Sequence, residues 1–179
     1  SYLSLTAVQR IFAANGLVVV DVQELPTHGG SLRVFAARAD AAAHPQATPE
    51  GAARVAHLLA TEAAAGLLSE GFYSDFQPQA LRIKRELLSF LLQCHTQGLK
   101  VGAYGAAAKG NTLLNFAGVR PDLLPYVVDK NPAKQGQYLP GSRIPIVDEA
   151  HLRAHRPDRV LILPWNLRDD VAAQLDYVR

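Results

Sequence analysis

Leu5 to Ala14 places Val8, Ile11 and Phe12 on one helical face, and Asn15-Gly16 supplies a C-terminal stop. Leu17 to Val22 is rich in β-branched residues and predicts a strand. Pro26 to Gly30 interrupts it, and Ser31 to Arg38 predicts a second strand, with Leu32, Val34 and Ala36 opposite Arg33 and Phe35. The two read as a hairpin with a longer loop. Successive apolar residues in the first strand suggest cover on both faces. One helix and a hairpin cannot supply that, so this segment is expected to close a sheet whose other strands lie elsewhere. Ala39 to Pro49 is a connector, and Thr48-Pro49-Glu50 starts a helix with a capping residue and a first-position proline, running to about Leu68. Gly71 to Pro78 breaks the pattern before a strong helix from Gln79 to Gln97, ended by Gly98.

The pattern then changes. Lys100 to Tyr104 is a short apolar strand, Asn111 to Ala117 a helix, and Tyr126 to Asp129 a strand. Ile144 to Ile146 is a brief extended piece, and Asp148 caps a helix to His155. Arg159 to Leu163 is a further strand, and a final helix begins at Asn166 or Leu167. Short buried strands alternating with helices predict an α/β fold, a Rossmann-like parallel sheet flanked by helices.

Composition narrows the classes. The chain has 179 residues, 49% hydrophobic and 19% charged, as in a globular protein. A net charge of +2 without basic blocks argues against nucleic acid, and no apolar run is long enough to cross a membrane. The single cysteine, Cys94, sits in an apolar helical pattern and reads as a buried, inert thiol, which fits a cytoplasmic setting. No methionine is present, Ser1 directly precedes a helical pattern, and no closing element precedes Arg179. An excised fragment is the expectation.

The loop after the strand ending at Tyr104 carries the chemistry. Gly105, Ala106 and Gly110 allow close backbone approach, Lys109 adds a charge, and Asn111 and Thr112 are positioned to cap the helix or bind a ligand. It is neither a Walker loop nor a GxGxxG fingerprint. Asp129 ends the next strand where dinucleotide-binding folds place a ribose-binding carboxylate. The plainer alternative is that the small residues only permit close helix–sheet packing; the βαβ context favours a phosphate cradle. Lys130, Asn131 and Lys134 lie in the following loop, which reads equally well as a solvated turn. Trp165, followed by Asn166, offers a ring for stacking on a base, although a tryptophan at a strand end is more often packing. His151 and His155, four apart with Arg153 between them, read as a solvated face rather than a metal site. His44, His57 and His95 have no sequence partners.

Four segments, HGGSLR at His28 to Arg33, YGAAAKGNTLLN at Tyr104 to Asn115, VVDKNPAKQGQYLPGSRIPI at Val127 to Ile146 and LILPWN at Leu161 to Asn166, together resemble the C-terminal region of the SAM-dependent sugar C-methyltransferases. The resemblance covers nearly the whole chain in matching order. It implies that residues 1–38 are the closing helix and hairpin of a methyltransferase core, 39–49 a connector, and 50–179 a Rossmann-like domain with helices over 50–97 and an α/β unit over 99–179. It implies a nucleotide-linked deoxysugar or similar keto substrate and S-adenosylmethionine as cofactor of the full-length protein. The SAM loop, the catalytic histidine–glutamate cluster and the zinc cysteines are expected in an N-terminal core partner outside this chain, so the chain alone is expected to be inactive, metal-free and without tight SAM binding. It places His28, Ser31 and Arg33 at the active-site rim, with no catalytic residue in the chain. Tyr104, Gly105, Ala106, Lys109, Gly110, Asn111, Asn115, Asp129, Lys130, Asn131, Lys134, Trp165 and Asn166 are the substrate-binding candidates. Two other readings stay open: an independent NAD(P)- or CoA-binding domain, and a non-catalytic module that forms homodimers through the exposed hairpin.

Overall fold

The computed structural model describes residues 2–41, 47–175 and 177; His44 lies outside them. The chain forms two compact units, residues 1–77 and 78–179.

In the first unit, helix α1 (Leu5–Ala14) leads into an antiparallel hairpin of β1 (Leu17–Leu25) and β2 (Ser31–Arg38), followed by α2 (Pro49–Ala64) and a short α3 (Gly71–Ser74). Strand β1 runs on to Leu25, past the expected end at Val22, because Gln23 and Glu24 continue the ladder with Arg33 and Leu32. Helix α2 stops at Ala64, short of Leu68. The family resemblance grouped α2 with the C-terminal domain, but it packs on the hairpin, where Val55 joins Leu5, Val19 and Val22 in one core. A bulge between Val19 and Asp21 lies at this contact. Gly51 sits so close that a Cβ there would lie 2.8 Å from the Val20 carbonyl oxygen. Asp21 is buried, and Arg54 on α2 meets it with two hydrogen bonds of 2.8 and 2.7 Å. Those bonds hold the Asp21 carboxyl below its ordinary range.

Helix α1 is capped at a distance. The Glu62 carboxylate of α2 accepts from the amides of Leu5 (2.7 Å) and Thr6 (2.8 Å) and from the Thr6 hydroxyl (2.6 Å). Ser4 Oγ accepts from the Ala7 amide. Burial pushes the Glu62 carboxyl up, but the bonds from Thr6 and Leu5 outweigh it and leave it below its ordinary value of 4.5. A depressed carboxyl stabilises the fold above its unfolded value and loses that contribution as pH falls through the folded value. Glu62→Gln is therefore expected to lower stability by roughly 1–2 kcal/mol at neutral pH, with the gap to the parent closing near pH 3. Denaturant titrations at the two pH values check this; a constant gap would reject the account.

In the second unit, α4 (Phe76–Thr96) precedes a four-stranded parallel sheet of order β5-β4-β3-β6. Its strands are β3 (Val101–Tyr104), β4 (Val127–Val128), β5 (Ile146–Val147) and β6 (Arg159–Ile162). The helices between and after them are α5 (Ala108–Ala117), α6 (Glu149–His155) and α7 (Arg168–Gln174), the last entered through a 3-10 turn at Trp165–Leu167. Helix α4 begins at Phe76, within the expected break, and contains Pro78. Proline is tolerated there because first-turn amides have no helical carbonyl to meet. Alternate strand residues go to opposite faces. Val101, Ala103, Val127 and Ile146 pack against Leu87 and Leu91 of α4 and Leu114 of α5. Tyr104, Val128 and Ile162 pack against Leu152 of α6 and Val171 of α7. The mixed α/β architecture, with its parallel sheet, hairpin and N-terminal helix, is the one the periodicity predicts. Cys94 is buried as a free thiol. No helix among the described residues is long and apolar enough to cross a membrane.

Candidate functional site

The loops that leave β3, β4 and β6 meet at the carboxyl edge of the parallel sheet. Gly105 turns the chain there with φ +90° while its amide still donates to the Val128 carbonyl at 2.7 Å. A Cβ on Gly105 would lie 2.5 Å from Pro164 Cδ, and one on Gly110 would lie 2.6 Å from Leu163 Cβ. Close packing alone thus accounts for both glycines.

Asp129 ties two of the loops together. Its Oδ2 accepts from the Ala106 amide (2.8 Å) and from Lys134 Nζ (3.0 Å), and its Oδ1 accepts from the Asn131 amide (2.9 Å). Lys134 Nζ also donates to the Ala106 carbonyl at 3.0 Å. The side chain of Asp129 is only 12% exposed. A ribose-binding carboxylate must face a ligand, whereas this one is occupied by three donors of its own chain. Asn131 Oδ1 accepts from the Ala133 amide, which completes the turn. Gln135, not singled out from sequence, donates to the Asp129 carbonyl.

Helix α5 opens differently from α1 and α6. Its N-cap is Ala107, with no side-chain cap, and its first turn holds no acid. Lys109 sits in that first turn, where the helix dipole opposes a cation. Asn111 and Thr112, expected as caps, lie one turn too far along because the helix begins at Ala108. The Thr112 hydroxyl instead donates to the Ala108 carbonyl. Beside this helix start, Lys109 Nζ lies 5.8 Å from the centre of the Trp165 ring, which is 53% exposed. Asn166 next to it is also exposed.

The other candidates are engaged with groups of their own chain. Tyr104 is buried against α6, where its hydroxyl donates to Glu149 Oε1 at 2.6 Å. Burial and Glu149 push its pKa well above the ordinary phenol value. Lys130 Nζ bonds Gln174 Oε1 (2.5 Å) and lies 3.6 Å from Glu149 Oε1. Asn115 Nδ2 donates to the carbonyls of Pro140 and Asn111, pinning the loop before β5. In the first unit, His28 occupies the hairpin turn with φ +57°, Ser31 Oγ donates to the Thr27 carbonyl, and Arg33 donates to Gln23 Oε1 at 3.3 Å. His28 and Arg33 are exposed.

The histidine pair read as a solvated face belongs to a cluster of three aromatic rings. His151 and His155 stack at 3.7 Å, and Tyr126 meets His151 edge-on at 4.7 Å. Their i, i+4 spacing was legible; the ring of Tyr126 beneath His151 was not. No group of three or more His, Cys, Asp or Glu among the described residues is arranged to hold a metal.

The family described as C-methyltransferase C-terminal domain matches residues 26–179, from the hairpin turn onward. C-methyltransferase NovU of Streptomyces niveus is 36% identical over 171 residues, which are 96% of this chain and 39% of that protein. The chain thus spans about two-fifths of that relative's length. Matched over most of its length, the chain belongs to the C-methyltransferase C-terminal domain family.

Proposed function

We propose that this chain is the substrate-side portion of a SAM-dependent C-methyltransferase acting on a nucleotide-linked deoxysugar or a similar keto compound. The start of α5 carries the reading. The N-terminus of α5 has no side-chain cap and no acid in its first turn, and a bound anion there would meet the positive end of the helix dipole with Lys109 beside it. A sugar-nucleotide diphosphate supplies that anion, and the Trp165 ring beside Lys109 suits its base.

Methylation at carbon requires removal of a proton next to the sugar ketone, and the resulting enolate carbon takes the methyl group. S-adenosylmethionine supplies that methyl already activated. The residues of this chain do not fit it: Pro164 and Leu163 close the approach at Gly105 and Gly110, and Asp129 is engaged with its own loops. The role of these residues is to hold the acceptor, with Lys109 and the first-turn amides of α5 on phosphate and Trp165 against the base. His28, Ser31 and Arg33 contribute a rim, and the chain alone transfers no methyl group. The same engagement of Asp129 counts against an NAD(P)-binding module.

Calorimetric titration of the chain with UDP and dTDP tests this. Lys109→Ala is expected to weaken binding about tenfold, the size of one charge-assisted phosphate contact. Absence of saturable nucleotide binding, or tight binding of SAM, would sink the reading.

A further inference from the structure

At the amino edge of the same sheet, opposite the loops just described, a cleft of about 480 Å3 opens between α4, α6 and the leads into β3, β4 and β5. That volume is typical of small-molecule sites, roughly 300–1,000 Å3. Its apolar lining comes from Leu99, Leu123, Pro125 and Pro145. One wall is the stacked pair of His151 and His155, braced by Tyr126. Tyr126 is itself buried, and its hydroxyl has no hydrogen-bond partner. An aromatic cluster beside apolar residues favours an aromatic guest, which can meet ring edges as well as faces.

The polar rim defines the guest's charge. His95 from α4, Lys100 ahead of β3 and His155 at the end of α6 all line the cleft, against one acid, Asp122. Asp148, the cap of α6, is the other charged group acting on His151. The His155 ring is oriented by a 2.9 Å bond between its Nδ1 and the His151 carbonyl. A carbonyl only accepts, so Nδ1 carries the proton and Nε2 is left as the ring's acceptor. Burial, and after it the charge of His155, make His151 harder to protonate. Lys100 and Asp122 offset one another on the lining, Asp158 Oδ2 accepts from the Lys100 amide at 2.7 Å, and protonated imidazoles shift the rim toward positive.

We propose that this cleft is a binding site for a small planar aromatic acid, its ring against the His151–His155 pair and its carboxylate toward the rim of His95, Lys100 and His155. Protonation of the rim and binding of the acid are then linked, so each favours the other. The site is distinct from the carboxyl-edge loops and does not depend on the function proposed for them.

The probes are 2-naphthoate and its uncharged counterpart 2-naphthamide, titrated calorimetrically into the chain. Naphthoate is expected to bind about tenfold more tightly near pH 5.5 than near pH 7.5, with naphthamide unchanged over the same range. Leu123→Trp fills the cleft and abolishes binding of both probes. His155→Gln keeps a neutral side chain of similar length, so naphthoate still binds but most of the pH dependence disappears; a thermal melt verifies that each variant is folded. The proposal is overturned by no saturable binding at millimolar probe, by equal binding of the two probes at both pH values, or by binding that survives Leu123→Trp in a folded protein.

Discussion

Gly105→Ala is expected to destabilise the second unit by roughly 2–5 kcal/mol, enough to remove most of the stability of a domain this size. Two effects add. A side chain at φ +90° costs about 1–2 kcal/mol, and the new Cβ would meet Pro164 Cδ at 2.5 Å and Cγ at 2.8 Å. The proline ring is rigid and cannot rotate aside as a long side chain would, so the strand-to-helix turn itself must shift. Gly118→Ala is the control. It shares the positive φ, at +78°, but nothing lies within 4 Å of its Cβ position. Its expected cost is only about 1 kcal/mol, part of it offset by lost freedom in the unfolded chain. Urea denaturation of both variants separates the terms. Equal losses would show that backbone conformation alone matters and that the packing on Pro164 carries no weight.

What could be read from sequence was whatever local chemistry decides. Leu5–Ala14 and Ser31–Arg38 came out with their observed ends because Asn15-Gly16 and Pro26 to Gly30 punctuate the chain there. Asp148 announced α6 because an N-cap acts within three residues. Boundaries failed where a distant contact decides. Gln23 and Glu24 fall outside the β-branched run, and only their pairing with Arg33 and Leu32 makes them strand. Ala108 to Gly110 look like loop because no capping residue precedes them. The same holds for the site. The residues of the carboxyl-edge loops were visible as a group, since all follow strands of a parallel sheet. Their division of labour was not. Whether Asp129 faces a ligand or its own chain depends on the Ala106 amide 23 positions away. Tyr104 reads as a loop neighbour until Glu149, 45 positions on, accepts its hydroxyl.

Loss of the Asp129 carboxylate is expected to act on stability before it acts on ligand. In Asp129→Ala, the amides of Ala106 and Asn131 lose their acceptor, and Lys134 keeps only the Ala106 carbonyl. Leaving the part-buried Ala106 amide unmet costs roughly 1–3 kcal/mol, while the exposed Asn131 amide turns to water. Lys134→Ala removes a side chain that is 41% exposed, so the expected loss is about 1 kcal/mol. The double variant is expected to fall short of the sum, because one ion pair is counted in both. A ribose-binding Asp129 predicts the reverse pattern, with nucleotide affinity lost and the denaturation midpoint unchanged. Hydrogen exchange at the Ala106 amide distinguishes the two directly. The clamp shields that amide in the parent and frees it in Asp129→Ala, whereas a pure ligand contact leaves its exchange unaltered in the absence of nucleotide. Freed of the clamp, the loop no longer holds the start of α5 in place, and nucleotide binding weakens as a consequence of stability lost.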